Sequence, residues 1–213
     1  TPAPTLNAIE RAVATQNAER ANQPTATPVT ARTGIALPAD SLRVSSPDGR
    51  IEVGFGLIDG VPYYTVKRGA IDVVLPSKLG FTFLTDAPLD SNLKIVSSET
   101  ASVDETWTQP WGEVKEVRDH HNELRVELTE TTAELRTMII LFRVFDNGVG
   151  FRYELPEQQY LEDIQIMREE TEFALGGDRS AWWIGAFQEN RYEYLYRNTS
   201  VSRLPVSAVN GVH

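Results

Sequence analysis

Cysteine is missing from all 213 residues. Its absence excludes disulfides, zinc–thiolate and iron–sulfur centres, and any thiol nucleophile. It leaves the compartment open, since exported proteins without disulfides are common. No apolar run approaches the length of about eighteen residues that a membrane helix needs. Positive charge is scarce: 20 Lys and Arg stand against 30 Asp and Glu, a net charge of −10. That balance lacks the basic footprint of a nucleic-acid binder or of a protein drawn to anionic membranes. Only three histidines occur, His120, His121 and the final residue His213. A zinc site needs further strong ligands at suitable spacing, so His120-His121 reads as part of a polar loop. The sequence holds no G-x-G-x-x-G, P-loop, G-x-S-x-G or H-E-x-x-H motif. Gly54 and Gly56 give only G-F-G.

Trp, Tyr and Phe are absent from residues 1–40, where Thr, Ala, Pro and Asn dominate. Leu6 to Arg20, with Ile9 and Val13, has room for one or two turns of amphipathic helix, which Gln23-Pro24-Thr-Ala-Thr-Pro28 ends. Residues 1–40 are therefore read as a flexible or short-helical tail, and 41–213 as one β domain. The opening Thr1-Pro2-Ala3-Pro4 has neither an initiator Met nor a signal core. It is expected of a processed or truncated product whose export signal has been removed.

What is present after residue 40 is strand. Met138-Ile-Ile-Leu-Phe-Arg-Val-Phe145 is nearly all apolar, as in a strand covered on both faces. Val149, Phe151, Tyr153 and Leu155 alternate with Gly150, Arg152 and Glu154, the period of a half-buried strand. Asn147-Gly148 between them is expected to supply the positive φ angles of a tight hairpin turn. Upstream, Leu42–Val44, Ile51–Phe55, Tyr63–Val66 and Ile71–Leu75 are strand-length runs separated by Asp48-Gly49, Asp59-Gly60 and Gly69. Pro76 to Gly80 is expected to break the sheet, Leu93–Val96 to be a short strand, and Ile164–Met167 and Thr171–Ala174 to be further strands. Leu124, Val126 and Leu128 alternate with Arg125, Glu127 and Thr129. No segment holds a helical period for three turns. The pattern is that of a sandwich or barrel.

Four tryptophans, Trp107, Trp111, Trp182 and Trp183, raise a carbohydrate reading, because flat rings stack on sugars; large aromatics also serve as core or interface anchors. Trp182 and Trp183 are adjacent in a strand, so they face opposite sides and at most one enters a given core. The acidic runs Glu169-Glu170 with Glu172, Asp104-Glu105 and Glu162-Asp163 read as solvated faces. A glycosidase needs two carboxyls at fixed separation, and sequence places no such pair here.

Five stretches, in order, resemble the N-terminal domain of glycoside hydrolase family 97. They are Ser46-Pro-Asp-Gly-Arg50, Pro76-Ser-Lys-Leu-Gly80, Asp104-Glu-Thr-Trp107 with Trp111-Gly-Glu113, the hairpin Phe142–Pro156, and Ala181-Trp-Trp183 followed by Arg191-Tyr-Glu193. The resemblance covers about three-quarters of the chain, from about residue 42 to about 205. It implies an all-β fold, a large antiparallel β-sandwich of the galactose-mutarotase super-sandwich type. It also implies a parent protein, periplasmic or secreted, that is a calcium-dependent α-glucosidase or α-galactosidase. In such proteins a (β/α)8 barrel follows the sandwich and carries the catalytic carboxylates, so this chain would end near where the barrel begins.

The same resemblance implies one metal ligand, Glu193 in Arg191-Tyr192-Glu193, reaching the barrel's calcium site. It places Trp182, Trp183 and Tyr192 at the domain interface or the rim of the sugar site. Calcium takes six to eight oxygens, so Glu193 alone would bind it negligibly. The expected partners are the barrel and α-linked glucosides or galactosides, with no nucleic acid and no membrane span. No catalytic residue is assigned within this chain. The rival readings are a stand-alone carbohydrate-binding sandwich and a mutarotase-like epimerase. The latter needs a His or Glu acid–base pair in the sandwich cleft, for which only His120 and His121 precede the last residue.

Overall fold

The computed structural model describes residues 34–184 and 195–204. They belong to two compact units, one formed by Arg32–Gly176 and one that takes the described residues beyond it. The tail expected over residues 1–40 lies almost wholly outside the described residues.

In the larger unit, β1 (Leu42–Ser45), β2 (Ile51–Ile58), β3 (Val61–Arg68) and β4 (Ile71–Lys78) form one antiparallel sheet in chain order. The β2–β3 turn is tight: Ile58 pairs with Val61, and Asp59 and Gly60 have φ of 51° and 77°. Those angles give the turn the twist of the strands it joins. Between β1 and β2, Asp48 accepts from the Ser46 hydroxyl and from the amide of Arg50.

Pro76 does not break this sheet but lies inside β4. The β3–β4 register slips between Tyr64, which faces Ser77, and Val66, which faces Val74. Leu75 and Pro76 therefore sit at a bulge, where proline's missing N–H removes no ladder bond.

After β5 (Phe81–Phe83) the chain builds a second antiparallel sheet, also in chain order, from β6 (Leu93–Thr108), β7 (Glu116–Glu130), β8 (Thr137–Phe145) and β9 (Gly148–Glu154). β10 (Ile166–Glu169) returns to pair with β5. The strand expected over Leu93–Val96 thus runs to Thr108, well past its apolar start. His120 and His121 lie in β7, not in a loop. His121 is buried beneath Phe145, with its two ring nitrogens facing Asp119 and Glu123.

The two sheets face one another across a single core. Val53, Phe55 and Tyr64 from the first meet Leu124, Val126, Leu128, Ile140, Phe142 and Val144 from the second. Phe142 lies 5.9 Å from Phe55, 6.2 Å from Tyr64 and 5.6 Å from Phe151, ring centre to ring centre. Each such side chain contributes roughly 1.5–3 kcal/mol through burial. Ile139 and Leu141, on the outer face of β8, are buried too. Leu141 is flanked across the strands by Arg125 and Arg152, whose aliphatic stems suit that cover.

The β8–β9 turn differs from expectation. Phe145 pairs with Gly148, so the loop residues are Asp146 and Asn147. Neither Asn147 nor Gly148 has positive φ. The turn falls one residue earlier than the Asn-Gly signal suggests, and Gly148 is the first residue of β9. Thr171–Ala174 is not a regular strand. It borders β4 through Glu172 N to Lys78 O and Leu75 N to Ala174 O, while Phe173 packs edge-on against Tyr64.

Candidate domain interface at the tryptophan hairpin

The second unit contains β11 (Ser180–Trp183), antiparallel to β12 (Arg197–Ser200), with one turn of 3-10 helix at Val201–Arg203. Asp178 ties this turn to the hairpin. Its carboxylate accepts from the amide and hydroxyl of Ser202 at 2.9 and 2.8 Å. Those bonds hold the Asp178 carboxyl below the usual carboxylate range.

Alternation along β11 separates the two tryptophans. Trp182 pairs with Asn198 and is 71% exposed. Trp183 pairs with Arg197 and is half-buried. Its indole nitrogen donates to Thr199 Oγ1 at 3.1 Å, and the Arg197 guanidinium lies 5.2 Å from its ring centre. A cation over a ring face is attracted by the quadrupole. Trp183 is thus engaged within its own hairpin, and Trp182 presents the free indole. Leu195 and Tyr196, just before β12, are also exposed, at 86% and 68%.

Sequence reasoning singled out Trp182 and Trp183 but not Leu195, Tyr196, Arg197 or Thr199. Arg-Asn-Thr-Ser at 197–200 has no apolar alternation, so only the cross-strand register reveals that Arg197 and Thr199 attend Trp183. Tyr192 and Glu193 lie outside the described residues.

The acidic runs are mostly tied into the fold. Glu170 accepts from Thr82 Oγ1 and from Arg168, which hold it below the usual carboxylate range. Glu172 accepts from the Lys78 amide at 3.1 Å, and Glu169 from Thr171 Oγ1. Asp104 is held by Arg118 and lowered by it. Among the described residues no group of three or more His, Asp or Glu is arranged to hold a metal ion. Among them, too, no helix is long and apolar enough to cross a membrane. Among the described residues the hairpin presents one exposed indole, exposed apolar side chains beside it and a second indole fixed in place.

Two facing antiparallel sheets, followed in the chain by an aromatic hairpin, define an all-β sandwich domain. Residues 44–210 match the family Glycosyl-hydrolase 97 N-terminal, and the chain belongs to it. Among solved structures it is similar to a glycoside hydrolase family 97 enzyme from a Pseudoalteromonas species, in complexes with panose and with acarbose. Each shows 40% identity and a TM-score of 0.70, covering 74% of this chain and 24% of that one. A β-arabinopyranosidase matches with 25% identity and a TM-score of 0.59, covering 66% of this chain and 22% of that one. A retaining α-galactosidase of Bacteroides thetaiotaomicron is 22% identical over 138 residues, 65% of this chain and 19% of the relative. The chain therefore spans about a quarter or less of the length of the relatives it matches.

Proposed function

We propose that this chain is the N-terminal accessory sandwich of a calcium-dependent α-glycosidase acting on α-linked glucosides or galactosides. It braces a (β/α)8 catalytic barrel and supplies Glu193 to the barrel's calcium and sugar site. Trp182 lies on the surface between the two domains. The observation that supports this most is the family match over 44–210 to an N-terminal domain, in relatives whose chains are about three times as long as this one. Panose and acarbose in the Pseudoalteromonas complexes favour α-glucosides as the ligand class.

Calcium needs six to eight oxygen ligands, and the described residues assemble no metal cluster of their own. Glu193 would therefore be one donor among several, the others coming from the following domain. Bound there, the ion would polarise oxygen atoms that it touches. This chain's part is to present one carboxylate and to shape the wall beside it. The reading also places the protein in the periplasm or outside the cell.

The test is hydrolysis of aryl α-glucosides and α-galactosides. The 213-residue chain should show none, and the polypeptide that includes the following barrel should show turnover that falls on chelation of calcium. Turnover by the 213-residue chain alone would sink the reading.

A further inference from the structure

β6 and β7 outrun the sheet they belong to. β8 ends at Phe145, opposite His121, whereas the β6–β7 pairs from Asp104–His120 to Thr108–Glu116 continue with no third strand among the described residues. At about 3.4 Å per residue, five residues on each strand make a ribbon roughly 17 Å long before its turn. A two-stranded ribbon is marginal alone in water, yet this one is braced. Arg118 forks onto Asp104 at 2.7 and 2.8 Å. The backbone amide of Gln109 donates to Lys115 O, and its side-chain amide to Val114 O. Gly112 has a φ of 124°, and a Cβ there would meet the Gln109 side chain at 3.0 Å, so the turn needs glycine.

This fixed end carries apolar side chains outward. Trp111 is 83% exposed, Val114 58% and Trp107 48%. Apolar groups gathered at the end of a projection mark an interaction site. The polar side chains among them, Gln109, Asp104 and Arg118, hydrogen-bond within the ribbon. Glu105, Glu113, Lys115 and Glu116 are exposed beside them, so the indole and isopropyl surface has charged neighbours along the ribbon. An apolar centre with a charged rim is the make-up of a protein–protein interface. In the Pseudoalteromonas relative this chain covers only 24% of the length, so a large protein body accompanies the matched region there. We infer that the β6–β7 ribbon is a docking arm that seats Trp107, Trp111 and Val114 against the catalytic domain. The inference rests on the accessory-domain reading above and assigns the contact to a particular element.

The chain's lack of cysteine makes Val114→Cys a unique thiol within it. Its labelling by maleimide, followed by peptide mass, is compared between the 213-residue chain and the polypeptide that includes the following domain. Amide exchange over residues 104–118 is measured in parallel. Labelling and exchange should both be at least tenfold slower in the longer polypeptide, and Trp111→Ala should restore fast labelling. Equal rates in the two, with the longer polypeptide hydrolysing aryl α-glucosides, would overturn the docking arm and leave the accessory reading standing. Slowing that requires added maltotriose would assign the ribbon to sugar instead, and slowing that grows with concentration of the 213-residue chain would assign it to a second copy. Either outcome rejects the arm. Slowed labelling in a longer polypeptide that hydrolyses neither substrate class would show the ribbon docked on a domain that is not the proposed α-glycosidase, rejecting the accessory reading and the arm's stated partner with it.

Discussion

Arg136 and Glu130 form a buried fork-to-fork ion pair across the β7–β8 turn, with Nε to Oε2 at 2.7 Å and Nη2 to Oε1 at 2.6 Å. Both residues are almost wholly buried. The guanidinium also donates to the carbonyls of Ala87 and Pro88, at 2.8 and 3.0 Å, and so fastens the 84–90 loop to the second sheet.

Removing one partner leaves the other charge buried and unpaired. Glu130→Met should cost about 3–5 kcal/mol, the range for breaking a buried pair. Arg136→Met should cost as much, and it also frees the two loop carbonyls. The double variant Glu130→Met/Arg136→Met should lose less than the sum of the singles, since neither charge then stays behind. Urea unfolding midpoints measure all three. Additive losses would mean that the pair is not coupled.

Gly80 makes a second point of no freedom. Its φ is 144°, and a Cβ there would lie 2.7–2.8 Å from Asp90 and the Leu89 carbonyl. The clash is mainly with backbone, which cannot rotate away. Gly80→Ala should therefore destabilise by about 1–3 kcal/mol, as overpacking does, with added strain from the backbone angle. Gly150→Ala is the control: it has no neighbour within 4 Å of the new methyl and no positive φ. Thermal unfolding of the pair should separate them clearly.

The sheets were legible where one face of a strand meets the core. Alternation at Leu124–Leu128 and the apolar run at Met138–Phe145 correspond to β7 and β8, and Asp59-Gly60 forms the turn its residues suggest. The distal half of β6 was not legible. Thr100 to Thr108 is exposed on both sides apart from the half-buried Val103, so no alternating burial pattern is written into it. Pro76 misled because a bulge removes the demand for its N–H. At the candidate interface, Trp182 and Trp183 were visible as residues, but their different roles follow from Arg197 and Thr199. These come from a strand whose sequence carries no strand signal.

Acid should weaken this fold by a route that can be traced to particular carboxyls. Asp48 lies below the usual carboxylate range, first through the Ser46 hydroxyl and then the Arg50 amide. Asp178 is lowered by the Ser202 amide and hydroxyl. A carboxyl with a folded pKa below its unfolded value of about 3.9 binds fewer protons folded than unfolded. It stabilises above that value, and the contribution is lost as pH falls through the folded one. The urea midpoint should stay level from pH 7 to about 5 and decline below about 4, with Asp48→Asn making the decline shallower. At the alkaline end burial pushes Tyr153 up to about 12. The unfolded chain then releases that proton first, and stability should fall as pH rises past about 10. A midpoint that rises on acidification from pH 5 to 3 would contradict the assignment.

The two tryptophans of β11 should separate stability from function. Trp183 has its nitrogen on Thr199 and Arg197 over its face, so Trp183→Ala removes packing and a hydrogen bond together. It should raise amide exchange over 180–183 and 197–200 at least tenfold. Trp182 is 71% exposed and should tolerate alanine within about 0.5 kcal/mol. If Trp182 faces the catalytic domain, Trp182→Ala in the polypeptide that carries both domains should lower kcat/KM on aryl α-glucosides several-fold, with unfolding unchanged. Trp182→Phe should retain most of the activity, because a ring still fills the contact. Unaltered kinetics for Trp182→Ala would move the interface away from this hairpin and leave the ribbon of β6 and β7 as the candidate to probe.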